Sequence, residues 1–310
     1  MDAIVIEHLT KTFTPMWPWQ KASTVLTDVS LRVRQGEIFG FLGHNGAGKT
    51  TTMKILLGLL RATSGKVELL GAPAGEVDAH ARIGYLPESP YFYDYLTAEE
   101  FLTFYGKLAK LSAGSIRSRV PELLKRVGLD EARHRQLRKF SKGMLQRIGL
   151  AQAMVHDPEL IILDEPMSGL DPMGRKEVRD LILSLRDQGK TVFFSTHILS
   201  DVEMICDSVG ILARGRMLSQ GRVEDMVGEQ GAHSIEVVCD GVVGDEVPIV
   251  KQCALRILQK GSRCLIMLPG QEVLEEVLSA VRNAKGRLVS VVPHRGSLEE
   301  VFVEKSVQRG

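Results

Sequence analysis

Hydrophobic and polar residues alternate along two segments near the start of the chain, residues 3–7 (AIVIE) and 25–33 (VLTDVSLRV). Because successive side chains of a strand point to opposite faces, this period of two predicts two half-buried β-strands. Between them, the segment FTPMWPWQKAS carries both tryptophans of the chain, together with Pro15 and Pro18. Proline cannot complete a strand ladder. We therefore expect a surface loop there, either a plain loop or one that touches a membrane or a partner.

Continuous apolar runs occur later in the chain. Runs of this kind are typical of central parallel strands, which are buried on both faces. They are residues 37–42 (EIFGFL), 160–164 (LIILD) and 191–195 (TVFFS). Segments with helical character alternate with these runs. One begins near Lys49, and two others cover about residues 142–155 and 173–188. Strands that alternate with helices predict an α/β fold, a parallel sheet with helices on its faces.

The segment 98–128 is also predicted to be helical. Its apolar residues have helical spacing and are Phe101, Leu102, Tyr105, Leu108 and Leu111. Pro121 falls inside this segment. Because proline fits the first turn of a helix but not its interior, we predict that Pro121 begins a second helix.

The pattern changes after about residue 230. Short strand-like runs, among them HSIEVVCD and RCLIML, surround one helical segment at about 272–284. We predict two domains, residues 1–230 and a small α+β domain of residues 231–310 that shows no catalytic constellation. The length of 310 residues suits two domains on a prior of about 150 residues each.

Composition excludes several classes of protein. The chain has 39 Lys and Arg against 38 Asp and Glu, a net charge of +1, so no global field attracts nucleic acid or anionic lipid. The four cysteines form no C-x-x-C pair, which favours reduced thiols over a zinc site. Neither a signal peptide nor an apolar run of the roughly 18 to 20 residues that span a bilayer is present. We expect a cytosolic chain whose membrane role, if any, comes from another subunit.

The strongest chemical motif is GHNGAGKT, which matches G-x-x-x-x-G-K-[ST] between a predicted strand and a predicted helix. Glycines let successive N–H groups converge on phosphate oxygens, and the helix N-terminus adds positive charge there. Lys49 is placed to reach the β and γ phosphates, and the Thr50 hydroxyl to ligate Mg²⁺. The alternative is a glycine turn without a ligand. The candidate phosphate-binding residues are Gly43, His44, Asn45, Gly46, Ala47, Gly48, Lys49, Thr50 and Thr51.

Two acids and a histidine follow later apolar strands. Asp164 ends a buried strand, where ligands collect in open α/β sheets, and is a candidate for the Mg²⁺ shell. Glu165 is the candidate base that orients or deprotonates water. The alternative is that Glu165 is only an acid at a helix N-terminus, where the helix dipole favours negative charge. His197, in FFSTHILS, is a candidate γ-phosphate contact that stabilises charge in the transition state. A core or capping histidine is the alternative.

Together with FSKGMLQR, these motifs make the chain resemble the nucleotide-binding subunit of an ATP-binding-cassette (ABC) transporter over residues 3 to about 225. The resemblance implies a P-loop NTPase cassette with a mainly parallel core, an antiparallel N-terminal β part and a helical subdomain at about 95–158. Ser141 to Leu145 stand in the place of the signature Leu-Ser-Gly-Gly-Gln. In the family, this segment binds the γ-phosphate held by the opposite subunit. The resemblance therefore implies a second ABC subunit, to whose ATP Ser141 and Gly143 contribute.

The resemblance also assigns Phe13 to adenine stacking, because a π-face selects a base. Glu88, in GYLPESP, replaces the glutamine of the Q-loop. It is either a metal-side ligand or a solvated turn acid. Together with His44 in the phosphate loop and Lys142 in the signature, it makes the chain similar to ATPase subunits of type-2 ABC exporters. GSLEEVFV near the C-terminus also resembles the end of those subunits.

The sequence leaves three candidate functions. The first is an ATPase at the cytoplasmic face of the membrane that powers a separate polytopic permease, contacted between Glu88 and Tyr95. The aromatic residues of that segment are either interface anchors or helical-subdomain core, and they are Tyr91, Phe92, Tyr93 and Tyr95. The second is a non-transport ABC ATPase that acts on nucleic acid or the ribosome; one cassette, no heptad insertion and a net charge near zero speak against it. The third is a small GTPase, which needs an N-K-x-D motif that this chain does not contain.

Overall fold

The computed structural model describes residues 1–14, 22–228 and 234–294. Residues 15–21 of the predicted tryptophan loop and the GSLEEVFV segment lie outside the described residues. The chain divides into two units, Met1–Val223 and a second unit that begins at Glu224. Among the described residues, no helix is long and apolar enough to cross a membrane.

The first unit alternates strands and helices over most of its length. Its strands are β1 (Asp2–Phe13), β2 (Ser23–Arg34), β3 (Ile38–Leu42), β4 (Ser64–Leu69), β5 (Ala72–Pro73), β6 (Ile83–Leu86), β7 (Leu160–Leu163), β8 (Thr191–Thr196), β9 (Ser208–Ala213) and β10 (Arg216–Arg222). Its helices are α1 (Lys49–Leu56), α2 (Val77–His80), α3 (Ala98–Leu108), α4 (Ala113–Arg126), α5 (Lys142–Met154), α6 (Pro172–Arg186) and α7 (Leu199–Ile205). Short 3₁₀ turns lie at Asp130–Ala132 and Leu137–Lys139.

A six-stranded sheet forms the centre of this unit, in the order β10-β9-β3-β8-β7-β6. The five strands from β9 to β6 are parallel, and β10 pairs antiparallel with β9 at one edge. All residues of β3, β7 and β8 are buried, as their apolar runs predict. Phe39 and Phe41 of β3 stack on Phe193 of β8, with ring centroids 5.6 and 5.4 Å apart. The sheet therefore presents the carboxyl ends of its parallel strands at one common edge.

A second, antiparallel sheet has the order β2-β1-β4-β5. Its strands β1 and β2 contain the two segments of alternating pattern, and both extend further than the pattern alone indicates. Ile4, Ile6 and Leu9 are fully buried in the same core as Phe39 and Phe41 of the central sheet. The antiparallel sheet thus packs on the strand that leads into the glycine-rich motif.

The helical region contradicts one expectation, that Pro121 begins a helix. The break falls earlier, at residues 109–112, where Lys110 has a left-handed φ of +59° and Ser112 caps α4 by accepting a hydrogen bond from Ser115 N–H. Pro121 lies inside α4. An internal proline loses one helical hydrogen bond. In α4 the buried stripe of Ile116, Val120, Leu123 and Leu124 runs past it, so packing keeps the helix intact.

The second unit contains one antiparallel sheet and its own core. Helix α8 (Val223–Gly228) leads into β11 (Ser234–Asp240), α9 (Pro248–Cys253), β12 (Arg256–Lys260), β13 (Arg263–Leu268), α10 (Leu274–Asn283) and β14 (Arg287–His294), with a 3₁₀ turn at Gly244–Glu246. The sheet order is β12-β13-β11-β14. Val237 and Ile266 of the sheet pack with Val277 and Val281 of α10. All four cysteines of the chain are free thiols.

Candidate functional site

The glycine-rich motif forms the turn between β3 and α1. Gly46 and Gly48 have φ values of +80° and +111°, which favour glycine. A Cβ at Gly48 would also lie 2.6 Å from Leu26 Cδ2, and one at Gly43 would lie 2.5 Å from the Leu212 carbonyl oxygen. The backbone curls tightly here because no side chain occupies these positions.

This turn opens onto a cleft of about 370 Å³. The first backbone hydrogen bond of α1 runs from Thr52 N–H to Gly48 C=O, so the N–H groups of residues 49–51 have no helical acceptor. Such a helix start attracts anions. The cleft is lined by Val25, His44, Asn45, Gly46, Gly48, Lys49, Thr50, Thr51, Glu88 and Glu165.

Lys49 lies at the base of the cleft and is only 6% exposed. Its Nζ donates a hydrogen bond to the Gly43 carbonyl at 2.5 Å and lies 3.0 Å from Glu165 Oε1. The second contact is an ion pair without a hydrogen bond, and Glu165 Oε1 has no hydrogen-bond partner among the described residues. The cleft therefore holds a buried ion pair with one carboxylate oxygen that can still accept a donor.

Asp164 and Glu165 follow β7 and are joined to β8 through Ser195. The Ser195 hydroxyl donates to Asp164 Oδ1 at 2.6 Å and accepts from the Glu165 N–H at 2.9 Å. Glu165 has a φ of +49°, a left-handed conformation that is unusual for a residue other than glycine. Burial, together with the negative charge of Asp164, raises the pKa of neighbouring Tyr85 to about 12.

His197 follows β8 and completes the group. Its Nδ1 lies 3.0 Å from Glu165 Oε2, and 41% of its side chain is exposed. Among the residues predicted from the sequence, Glu165 is thus in direct contact with both Lys49 and His197. Sequence reasoning missed Ser195 and Val25. The signal for Ser195 was a small hydroxyl residue directly after the apolar run Val192–Phe194, near the carboxyl end of β8.

The donor atoms of the cleft suit a triphosphate and Mg²⁺. Mg²⁺ prefers oxygen ligands and is commonly held by one or two carboxylates together with substrate phosphates. The Thr50 hydroxyl of the cleft supplies one such oxygen. The Asp164 carboxylate, which is buried beside the lining residue Glu165, is the candidate for a second. The described residues contain no group of three or more His, Cys, Asp or Glu side chains that could hold a metal by themselves. The site therefore suits a metal ion that binds together with a phosphate group. The N–H groups of the glycine-rich turn would hold the phosphate.

Three other candidate residues lie away from this cleft. Phe13 ends β1, is 42% exposed, and has Lys11 Nζ 4.9 Å above its ring. Ser141 caps α5 by accepting from Met144 N–H at 3.3 Å, and Gly143 lies in the first turn of the same helix. None of the three is among the residues that line the cleft. Gly43, Ala47, Asp164 and His197 are not among them either, but each is next to a lining residue in the chain or, for His197, in contact with Glu165.

Lys142, the neighbour of Ser141, contacts the segment SGLD (Ser168 to Asp171) of its own chain. A Cβ at Gly169 would overlap Lys142 Nζ, and Gly169 has a φ of +66°. Asp171 then caps α6 by accepting from Gly174 N–H at 3.0 Å. The side chain of Lys142 thus lies against the turn that leads into α6.

The aromatic segment after Glu88 divides into two parts. Tyr91 and Tyr95 are 85% and 61% exposed. Phe92 instead packs on Phe101 of α3, with ring centroids 5.6 Å apart, and belongs to the edge of the helical core. The interpretation as exposed anchors therefore fits Tyr91 and Tyr95, whereas the interpretation as helical-subdomain core fits Phe92.

Buried charges tie α6 to α7, the helix that follows His197. Asp201 of α7 is 1% exposed and accepts hydrogen bonds from Arg175 at 2.9 Å and Arg179 at 3.1 Å. Truncating one member of such a buried group leaves an unpaired charge. This group of ion pairs therefore holds α6, which follows the SGLD segment, to α7, which follows His197.

Comparisons with known proteins identify the family to which this chain belongs. The sequence profile of the ABC transporter family matches residues 26–168. An uncharacterised ABC transporter ATP-binding protein of Synechocystis is 46% identical over 96% of this chain and 82% of its own length. The bacitracin transport ATP-binding protein of Bacillus licheniformis is 44% identical over 68% of each chain.

A solved structure agrees with these sequence matches. The ATP-binding subunit of an ABC transporter aligns with a TM-score of 0.64 and 32% identity, over 74% of this chain and 93% of its own. The fold predicted from the sequence is confirmed by this likeness. A chain with this phosphate turn, this acid pair and these relatives belongs to the ATP-binding proteins of ABC transporters, the ATPases that power transport.

Proposed function

We propose that the chain binds MgATP in the cleft, pairs with a second ABC subunit across two nucleotides, and powers a separate exporter permease. The observation that carries the catalytic part is the direct contact of Glu165 with both Lys49 and His197. The bacitracin transport relative supports a role in transport, and the export direction rests on the resemblance to type-2 ABC exporters.

Side chains in and beside the cleft have separate chemical tasks in this proposal. Lys49 and the N–H groups of the first turn of α1 bind the β and γ phosphates. Thr50 and Asp164 would hold Mg²⁺, which would neutralise charge on the phosphates. Glu165 orients the attacking water and accepts its proton, and His197 holds the Glu165 carboxylate and contacts the γ-phosphate.

Three residues outside the cleft complete the nucleotide contacts. Phe13 stacks on adenine. Ser141 and Gly143 bind the γ-phosphate of the ATP held by the opposite subunit, which agrees with their position away from the cleft of their own chain. A hydroxyl and a helix N-terminus are suitable groups for a phosphate.

The exposed tyrosines suggest where the permease docks. We place the contact between Glu88 and Tyr95, because Glu88 lines the cleft while Tyr91 and Tyr95 are exposed a few residues later. A movement at the nucleotide then reaches the permease through one short segment. The chain works in this proposal at the cytoplasmic face of the membrane, peripherally bound through the permease.

The test is Glu165→Gln in the purified protein. Because glutamine keeps the shape but cannot accept a proton, we expect turnover to fall by at least about 100-fold while ATP binding persists and a dimer accumulates with ATP. ATPase assays and size-exclusion chromatography with ATP measure both effects. Glu159→Gln is the matched control, since Glu159 precedes β7 at its opposite end and pairs with Arg82 on the surface. Undiminished turnover in Glu165→Gln would remove its role as the base.

A further inference from the structure

We propose that Ser195 is a positioning residue for ATP hydrolysis: its hydroxyl fixes the Asp164 carboxylate and the Glu165 backbone relative to each other. The inference rests on the roles proposed above for Asp164 and Glu165. It adds a residue that touches neither nucleotide nor water and acts through the two acids.

The hydrogen-bond directions at Ser195 are determined by its neighbours. Glu165 N–H is a donor, so the Ser195 oxygen accepts from it at 2.9 Å. A hydroxyl has one proton to give. That proton goes to Asp164 Oδ1 at 2.6 Å. Because Ser195 is fully buried, water does not compete for either bond.

Glu165 requires this restraint because of its backbone. Its φ of +49° places it in the left-handed region, which costs a residue with a Cβ about 1–2 kcal/mol. Such conformations persist only where surrounding contacts hold them. The bond from Glu165 N–H to Ser195 is one such contact. Since the backbone direction sets where the side chain begins, this bond also sets the reach of the carboxylate toward Lys49 and His197.

Asp164 is restrained by the same atom. Its carboxylate is buried, and a short hydrogen bond to a charged acceptor is stronger and more directional than one between neutral groups. With the Ser195 hydroxyl on Oδ1, rotation of the carboxylate about its last bond is opposed. The metal-binding role that we propose for Asp164 therefore depends on an oriented carboxylate rather than on a free one.

The strand register makes position 195 suitable for this task. In the parallel pairing of β7 with β8, Leu163 pairs with Phe194, so the next residue of β8 adjoins Asp164. The following hydroxyl, of Thr196, accepts instead from Ile198 N–H at 3.0 Å. At the start of β8, Thr191 accepts from Gly36 N–H at 2.9 Å. Only Ser195, among the hydroxyl residues of β8, bonds to both acids.

Ser195→Ala removes both bonds with little change in volume. We expect kcat to fall by about 10–100-fold, as for a misplaced catalytic group, and the Mg²⁺ concentration for half-maximal activity to rise. Binding of a fluorescent ATP analogue without Mg²⁺ should stay within about twofold of the wild type, because the phosphate turn is intact. Ser195→Thr keeps the hydroxyl and should restore most of kcat.

Thr191→Val is the matched control for a merely structural role. It removes a buried hydroxyl of the same strand, which accepts from the Gly36 N–H at the opposite end of β8 from the acids. It should lower Tm about as much as Ser195→Ala does, with kcat unchanged. If Ser195→Ala does not fold, Ser195→Cys serves in its place, because a thiol is similar in shape but a weak donor and acceptor.

Either of two results would overturn the proposal. One is a kcat for Ser195→Ala within about twofold of the wild type. The other is an equal loss of kcat in Thr191→Val at an equal loss of Tm. A failure of the proposed function looks different, because turnover would then persist in Glu165→Gln. Normal turnover in Ser195→Ala beside an inactive Glu165→Gln overturns the Ser195 role alone.

Discussion

Glu165 takes part in three interactions: an ion pair with Lys49, a contact with His197 and the backbone bond to Ser195. Both Lys49 and Glu165 are less than a tenth exposed, so the pair is a costly one to bury. Removing Lys49 leaves an uncompensated charge, which affects folding as well as phosphate binding. Glu165→Gln, which changes one charge and keeps the shape, is therefore the sharper test of catalysis.

Glu88 brings a second negative charge into the same cleft, and its replacement separates the two interpretations of this residue. If Glu88 helps to hold Mg²⁺, Glu88→Gln should raise the Mg²⁺ concentration needed for half-maximal ATPase. Metal-free ATP should bind more tightly, because one repulsive charge beside the triphosphate is gone. Titrations of Mg²⁺ against ATPase rate, and of a fluorescent ATP analogue in a chelator, measure these effects.

The control for Glu88→Gln is Glu122→Gln, the same change at an exposed position of α4. It should leave both titrations as in the wild type. An unchanged Mg²⁺ requirement in Glu88→Gln would exclude ligation. Glu88 would then keep only the mechanical role between cleft and permease that we propose for its segment.

At the scale of elements, α5 packs on β6 with no room for a side chain at Gly84. A Cβ there would overlap the Ala153 carbonyl of α5, and one at Gly149 of α5 would lie 2.7 Å from Leu86 Cδ1. These contacts join the helix that Ser141 caps to the strand that precedes Glu88. The candidate signature segment and the segment proposed to contact the permease are thus mechanically connected within one chain.

Gly84→Ala should therefore destabilise the protein through this contact. Forcing a methyl group against backbone displaces α5 from β6, with an expected loss of about 1–3 kcal/mol in the free energy of unfolding. Urea denaturation followed by circular dichroism measures it. The control is Gly114→Ala in α4, where an added Cβ meets only Ser112 Oγ at 3.7 Å. Since alanine favours helix over glycine, Gly114→Ala should stabilise by up to about 1 kcal/mol; equal effects of both changes would contradict the contact argument.

Elements were predictable from the sequence where one local signal decided them. The apolar runs of β3, β7 and β8 and the glycine turn before Lys49 are of this kind. Pro121 was wrongly interpreted because its local preference is outweighed by the packing of α4, which no local window contains. Ser195 was missed because its role depends on which strand lies beside β7, and strands β7 and β8 are separated by α6 in the chain.

At the scale of the whole molecule, every residue of the cleft belongs to the unit Met1–Val223. The unit that begins at Glu224 has a separate core, in which Val237, Ile266 and Val277 are fully buried. A solved ATP-binding subunit matches 74% of this chain with 93% of its own length. A cassette of this family therefore folds without a counterpart to the remaining quarter.

A chain ending at Gly228, after α8, should consequently fold and bind nucleotide. We expect an affinity for a fluorescent ATP analogue within about threefold of the full chain, because no contact of the cleft is removed. Calorimetry should show the loss of unfolding enthalpy in proportion to the residues removed, at about 0.7 kcal/mol per residue near 60 °C. Competition by excess unlabelled ATP is the control for specific binding. A truncated chain that folds but binds at least about tenfold more weakly would mean that the second unit supports the nucleotide site, and its role would then be regulation of ATP binding rather than a separate contact.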